Sequence, residues 1–161
     1  MNTSIILYLL IITIFFSYVG FIWMKYGIQK SISASYYALP VKINILFTLF
    51  CWGFAFPTII LGSNVLMFLA GSGIVFVGAA SRFKESITKP VHMIGAFSAV
   101  ILSQLSIYLN YELWYLNLVF ILLSIIILTY SYLKKKNYFF WWIEIFAFLS
   151  VIISFYLIKF N

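Results

Sequence analysis

Apolar residues fill six long stretches of the chain, and short polar segments separate them. A helix needs about 20 apolar residues to cross the ~30 Å hydrocarbon core of a bilayer, so stretches of this kind are typical of transmembrane helices. The alternation of apolar and polar positions that marks a membrane β-barrel does not occur. The pattern predicts an all-α bundle of six spans in one integral membrane domain covering 1–161, with approximate span limits of 4–24, 45–61, 65–80, 91–109, 113–133 and 138–158.

Residues 27–44 form the longest polar segment and join the first two predicted spans. The apolar residues of this segment recur at helical spacing, which predicts a short interfacial helix that ends at Pro40. Gly27 fits the C-terminus of the preceding span, where a residue with positive φ is favourable.

Small residues are concentrated in the third and fourth predicted spans. In the fourth span their spacing of three, four and seven places them on one helix face. Small side chains let helix backbones approach closely in lipid, so we expect these two spans to pack tightly against each other. The residues concerned are Ala70, Gly71, Gly73, Gly78 and Ala79 in the third span, and Gly95, Ala96, Ala99, Ser103 and Ser106 in the fourth.

Composition supports the membrane class, because 65% of the 161 residues are apolar and only 8% are charged. Soluble domains usually contain about 45–50% apolar and ~25% charged residues. The N-terminal stretch lacks the basic region and the small-residue cleavage site of a secretory signal, so we expect it to remain as the first span. The formal charge of +7 lies in short loops, which favours contact with membrane lipids over binding of nucleic acid.

The basic residues are distributed unequally between the two sides of the predicted bundle. Nine of the ten lie in the first, third and fifth loops, and only Lys159 lies on the other side. Because cytoplasmic loops carry an excess of Lys and Arg, this asymmetry predicts that both termini are outside. We expect a multi-pass protein of the bacterial cytoplasmic membrane.

Candidate functional residues lie in two polar segments, 31–37 and 78–99, on the predicted cytoplasmic side. Hydroxyl groups, basic side chains and the single histidine of these segments predict a site for an anionic headgroup or a small anion. A glutamate follows two tryptophans at the start of the last span, and an ionisable residue at that depth should face the bundle. The predicted ligand-binding set is Lys30, Ser31, Ser33, Tyr37, Arg82, Lys84, His92 and Glu144.

Structural roles are the alternative for these same residues. The serines can cap helix ends, the tyrosines can sit among lipid headgroups, and His92 can hydrogen-bond at a helix terminus. Glu144 can form a structural clasp with Arg82 or His92, or it can be part of a proton or ion path. Gln104 and Asn117 are the amide side chains within the spans, and we expect them to hydrogen-bond between helices.

Familiar catalytic and metal-binding motifs are absent from the sequence. One cysteine, Cys51, and one histidine do not make a metal site, and there is no Asp to complete a Ser-His-Asp triad. We therefore predict no cofactor and a non-enzymatic function: the binding or transport of a lipid, a small anion or another small molecule. The alternatives are an assembly factor that holds a partner through its basic loops, and an enzyme that acts on lipid through His92 with Glu85 or Glu144. Formation of a homo-oligomer stays open.

Two motifs carry a family resemblance. Segment 31–37 has the sequence SISASYY, and a glycine-rich third span leads through a basic loop to H-x-x-G-A at 92–96. In both motifs the chain resembles small six-helix membrane proteins of the domain-of-unknown-function 998 type, and it is distantly similar to the Frag/DRAM-like group. The resemblance implies a six-helix architecture and no particular activity. Alkaline ceramidase-like hydrolases share a comparable helical core but use several His residues and an Asp around zinc, and this chain departs from that pattern.

Overall fold

The computed structural model describes residues 3–80 and 88–160, and within these two ranges the regular structure is entirely helical. Five of the helices are long and apolar enough to cross a membrane, and α4 is a shorter apolar helix of 16 residues. The prediction of an all-α integral membrane protein is confirmed. The helices are α1 Thr3–Tyr26, α2 Ser35–Ala38, α3 Ile45–Gly62, α4 Val65–Ala80, α5 Thr88–Leu109, α6 Trp114–Leu133 and α7 Phe139–Phe160.

Residues 27–44 form loop 1, which contains one short helix, α2, before Pro40. Of the three apolar residues at helical spacing, Tyr36 lies in α2, whereas Ile28 and Ile32 lie outside it. Helix α2 has only four residues, and it ends at the extended Leu39 (φ −78°, ψ 136°) because a residue before proline avoids the helical region. At the start of loop 1, Gly27 has φ 74° and its N–H donates to the carbonyl of Trp23 at 3.0 Å. This is the left-handed helix end that the glycine predicted.

Successive apolar helices run antiparallel. The Tyr18 ring of α1 stacks on Phe50 of α3 with the ring centroids 4.3 Å apart, so the C-terminal half of α1 lies beside the N-terminal half of α3. Near the same end, the Thr48 hydroxyl donates to the carbonyl of Gly78 in α4 at 3.2 Å. Loop 1 and the C-terminus of α4 therefore share one end of the bundle, and the turn between α3 and α4 lies at the other.

Helices α4 and α5 touch backbone to backbone at two glycines. A Cβ atom added to Gly73 would lie 2.7 Å from the Gly95 carbonyl oxygen, and one added to Gly95 would lie 2.9 Å from that of Gly73. Real Cβ atoms do not approach a backbone oxygen so closely, so only glycine allows this separation of the two helices. The tight packing that the small residues predicted is confirmed, and it gives α4 and α5 a fixed relative position.

A hydrogen-bond network ties the turn after α3 to the turn after α5. Asn64 donates from Nδ2 to the carbonyl of Gly62 at 2.8 Å and to the hydroxyl of Tyr111 at 3.0 Å. Its Oδ1 accepts from the N–H of Met67 at 2.9 Å, as an N-cap does, and from the hydroxyl of Ser106 at 3.0 Å. Tyr111 donates to the carbonyl of Gly62, and burial raises the pKa of Tyr111, so the phenol retains the proton that it donates.

Helix α6 lies at the edge of the bundle, and most of its apolar side chains are exposed to the surroundings. Asn117 anchors it: its Nδ2 donates to the backbone carbonyl of Gln104 at 3.0 Å and to the side-chain Oε1 at 3.1 Å. Gln104 in turn donates from Nε2 to the hydroxyl of Ser150 at 2.7 Å. The hydrogen bonds between helices that were predicted for Asn117 and Gln104 are confirmed. These bonds connect α6 to α5 and α5 to α7.

Lys135 follows α6 in the left-handed conformation (φ 50°), which strains a residue other than glycine. The N–H of Lys136 donates to the carbonyl of Ser131 at 3.0 Å and that of Lys135 to Tyr132 at 3.2 Å, which is a Schellman motif. We expect Lys135→Gly to raise the free energy of unfolding by about 1 kcal/mol in detergent. Lys134→Gly removes the same charge at φ −90° and should not stabilise; equal gains from both variants would contradict the explanation.

Candidate functional site

Loop 1 folds back onto the first turn of α7. The N–H of Trp141 is one of the donors that a helix N-terminus leaves without an intrahelical partner, and it donates to the carbonyl of Lys30 at 3.1 Å. The Trp141 side chain is only 1% exposed. The contact between residues 30–33 and α7 is therefore an internal junction of the protein.

Glu144 binds loop 1 from the second turn of α7. Its Oε2 accepts from the N–H groups of Ile32 at 2.5 Å and Ser33 at 3.2 Å, and its Oε1 accepts from the Ser33 hydroxyl at 3.2 Å. Consecutive backbone N–H groups that point at one anion form a nest, and a partly buried carboxylate gains most from such charge-assisted hydrogen bonds. Glu144 thus fixes the conformation of loop 1 over the bundle.

Tyr18 and Ser35 hold loop 1 from the side of α1. Their hydroxyl oxygens lie 2.6 Å apart, and Ser35 donates to the carbonyl of Ile32 at 2.5 Å, so Tyr18 is the donor between them. Ser35 is fully buried and Ile32 is 2% exposed. Within the loop, the hydroxyl of Ser31 accepts from the N–H of Ala34 at 2.9 Å. Loop 1 is therefore an ordered cover at one end of the bundle.

A cavity of about 670 Å³ lies beneath loop 1, between α3, α4, α5, α6 and α7. Its volume is within the range of about 300–1,000 Å³ that is typical of small-molecule sites. The charged and titratable residues lie in the wall next to loop 1, together with two serines: Lys30, Ser31, Ser33, His92 and Glu144.

Aromatic and small apolar residues make most of the remaining wall. Phe148 of α7 meets Phe54 edge-on with ring centroids 4.6 Å apart, and its centroid lies 5.6 Å from that of Phe50. Across the cavity, Ala96 and Ala99 of α5 leave space because their side chains are short. The charged residues of the cavity lie at the loop 1 end, and the rest of the wall is apolar except for a few hydroxyl groups such as that of Ser124.

Five of the eight residues predicted to bind a ligand line this cavity: Lys30, Ser31, Ser33, His92 and Glu144. Tyr37 does not line it, since this residue of α2 is 82% exposed at the surface of loop 1. The other two predicted residues, Arg82 and Lys84, lie outside the described residues, as does Glu85.

Glu144 and His92 line the same cavity but have separate hydrogen-bond partners. The imidazole of His92 is hydrogen-bonded to the backbone of Val77 in α4. Glu144 has the structural clasp that the sequence suggested, although loop 1 supplies the donors in place of His92. Within 3–80 and 88–160, no three His, Cys, Asp or Glu side chains come together as a metal site requires. The site combines a lysine, a glutamate and hydrogen-bonding groups with a large apolar wall.

The sequence does not distinguish the residues that form the body of the cavity. Ser124 of α6 is the most informative of them, because its hydroxyl is buried at the wall and has no hydrogen-bond partner among the described residues. Tyr18, which fixes loop 1, was also missed. In the sequence, Ser124 and Tyr18 are marked only as polar groups within long apolar stretches. Such a position does not show which neighbouring helix or loop the side chain faces.

Comparison with protein-family models, with curated proteins and with solved structures finds no significant match for this chain. The resemblance to the 998-type and Frag/DRAM-like proteins therefore stays a prediction from segments 31–37 and 78–96. Function has to be argued from the geometry of the cavity and loop 1.

Proposed function

We propose that this protein crosses the membrane six times, with both termini outside, and binds a small amphipathic molecule in the cavity beneath loop 1. The observation that carries the proposal is a largely apolar cavity whose charged residues all lie at the loop 1 end. An amphipathic molecule suits both parts of the wall, because its polar group can meet Lys30 and His92 while its apolar part covers the aromatic side chains.

Six crossings require that the short helix α4 also spans the bilayer. Its 16 residues make it about 24 Å long, and a bilayer adapts to a short span by local thinning. The backbone contact with α5 supports this arrangement, because the two helices pack as an antiparallel pair. The lysines at 25, 30, 42 and 134–136 then lie at the loop 1 end, and an excess of basic residues is typical of the cytoplasmic side.

Binding or transport of a small molecule accounts for the site better than the two alternative functions. An assembly factor needs an exposed surface for its partner and has no use for an internal cavity. A lipid-modifying enzyme that used His92 would need this residue hydrogen-bonded to a carboxylate and near a hydroxyl. Among the described residues, the His92 imidazole is hydrogen-bonded to the backbone of Val77, and Glu144 is bound by loop 1.

Filling the cavity tests the proposal. Ser124→Phe places a ring in the cavity from the side of α6, and overlap with a bound molecule should lower its occupancy roughly tenfold. Native mass spectrometry of the purified protein measures the fraction that carries a small molecule. Ser124→Ala is the matched control, because the hydroxyl that it removes has no hydrogen-bond partner among the described residues. This variant should have the stability of the wild type and carry the same fraction of bound molecule. A wild-type protein without any bound molecule, or a Ser124→Phe variant that carries as much as wild type, would contradict the proposal.

A further inference from the structure

The cavity opens sideways between α5 and α6. The residues at the two edges of this opening line the cavity and are also exposed on the outside of the bundle. Phe97 and Ile101 of α5 are 51% and 54% exposed, and Ile121 and Ile125 of α6 are 51% and 55% exposed. A side chain that belongs to both surfaces lies on the rim of an opening. This rim is apolar, so the opening faces the lipid.

The opening is closed at the end far from loop 1. There Asn117 of α6 donates to the carbonyl of Gln104 in α5 at 3.0 Å, and the N–H of Leu113 donates to the carbonyl of Ile107 at 3.1 Å. In the part of the chain that the structure describes, no further hydrogen bond joins α5 to α6 towards loop 1. The two helices are therefore joined at their connecting turn, and the opening lies in the half of the bundle nearer loop 1.

The depth of the cavity matches one leaflet of a bilayer. Along α5 its wall extends from His92 to Ser103, a distance of about 16 Å at the 1.5 Å rise per residue of an α-helix. Half of a hydrocarbon core is about 15 Å thick. A lipid chain from the leaflet on the loop 1 side would therefore reach the end of the cavity while its headgroup stayed at the polar wall.

We infer that the ligand is a single-chain lipid with an anionic headgroup, which enters from the leaflet on the loop 1 side through the opening between α5 and α6. This inference rests on the binding function proposed for the cavity. A volume of about 670 Å³ holds one drug-sized molecule and leaves little room for the second chain of a bilayer phospholipid. The chain lies along Phe54 and Phe148, and the headgroup lies beside Lys30.

The charges at the polar wall favour an anion. The carboxylate of Glu144 already accepts three hydrogen bonds from loop 1, so it does not need a cationic headgroup as its partner. Lys30 is exposed, lines the cavity and supplies a positive charge at the level of the headgroups. A lysine near the membrane surface contributes about 1 kcal/mol to the attraction of anionic lipid. A fatty acid and a lysophospholipid share the required chemistry.

Lateral entry is tested by narrowing the opening. Ile125→Trp adds bulk at the rim, whereas Ile126→Trp adds the same bulk at a neighbouring residue that is 59% exposed and does not line the cavity. Lyso-phosphatidylglycerol is added to delipidated protein, and native mass spectrometry follows its uptake with time. We expect Ile125→Trp to slow uptake roughly tenfold and Ile126→Trp to leave it unchanged. Unchanged uptake by Ile125→Trp would overturn lateral entry but not binding, and a wild type that takes up no ligand of any kind would overturn both.

The ligand class is tested with lipids that differ in one property at a time. Lyso-phosphatidylglycerol and palmitate should both bind. The lipid with the higher affinity shows whether the natural headgroup is a phosphate or a carboxylate. Lyso-phosphatidylcholine, two-chain phosphatidylglycerol and the soluble glycerol phosphate should each bind more weakly, and equal affinity for any of them would overturn the assignment. Lys30→Gln should weaken binding of lyso-phosphatidylglycerol about fivefold. Lys42→Gln removes a loop 1 charge that does not line the cavity and should leave the affinity unchanged.

Discussion

Replacing Gly73 with valine should lower the free energy of unfolding by about 3 kcal/mol, at the upper end of the usual cost of overpacking. A Cβ atom at this residue would lie 2.7 Å from the carbonyl oxygen of Gly95 and 3.2 Å from the backbone nitrogen of Ala99. Neither backbone atom can turn aside as a flexible side chain does, so α4 and α5 have to separate. Unfolding in SDS, followed by tryptophan fluorescence, measures the loss.

Gly20→Val is the matched control for this prediction. Gly20 also lies within an apolar helix, but a Cβ atom added there would have nothing within 4 Å. The same substitution should therefore change stability little in α1. Equal losses for the two variants would show that a general effect of valine, and not the α4–α5 contact, determines the result.

Replacing Glu144 with alanine should release loop 1 and lower the free energy of unfolding by roughly 3 kcal/mol. The substitution leaves the N–H groups of Ile32 and Ser33 without their acceptor in a partly buried place, and each unsatisfied donor costs about 1–3 kcal/mol. Hydrogen exchange of these two amides, measured by mass spectrometry, should rise far more than exchange in the middle of α3.

Two variants separate the clasp from a loss of charge. Glu144→Gln keeps one acceptor oxygen. The exchange rates of the Ile32 and Ser33 amides and the free energy of unfolding should therefore lie between those of the wild type and those of Glu144→Ala. Glu112→Gln removes a carboxylate from an exposed turn and should leave exchange in loop 1 unchanged. If the Ile32 amide exchanged its hydrogen as slowly in Glu144→Ala as in the wild type, Glu144 would not be what holds loop 1.

The helical architecture follows from the sequence because each apolar stretch has to form its backbone hydrogen bonds internally, whatever its neighbours are. The contact between α4 and α5 was also predictable, since small residues at spacings of three and four, including Gly73 and Gly95, are typical of helix faces that pack closely in lipid. Gly27 was a further reliable signal, because a glycine just after an apolar stretch is typical of a helix end. The positive φ of Gly27 in the structure agrees with it.

The partner of Glu144 was not predictable in the same way. The sequence suggested side chains of opposite or titratable charge, Arg82 and His92, since these stand out in a composition poor in charge. Among the described residues, the donors are the backbone N–H groups of Ile32 and Ser33 and the hydroxyl of Ser33. Every residue except proline carries a backbone N–H donor, so nothing in the residue type shows where a loop will turn two of them towards a carboxylate.

The cavity is a property of five helices together, and this limits what the sequence can say about it. The sequence drew attention to Lys30, Ser31 and His92, which line the cavity, because polar residues in a membrane protein are few. The apolar wall includes Phe54 and Phe148, which are two of 18 phenylalanines and have no distinguishing neighbours. Only the rotation of each helix about its axis decides which of them face the cavity.

The clasp between loop 1 and α7 also constrains the order in which the chain assembles during synthesis. Glu144 is separated from Ile32 by 112 positions, so at about 5–20 residues per second the ribosome adds Glu144 roughly ten seconds after it adds Ile32. During this interval water has to satisfy the amides that the carboxylate will later occupy. Insertion of the last helix is therefore the step that completes the hydrogen bonds of the first loop.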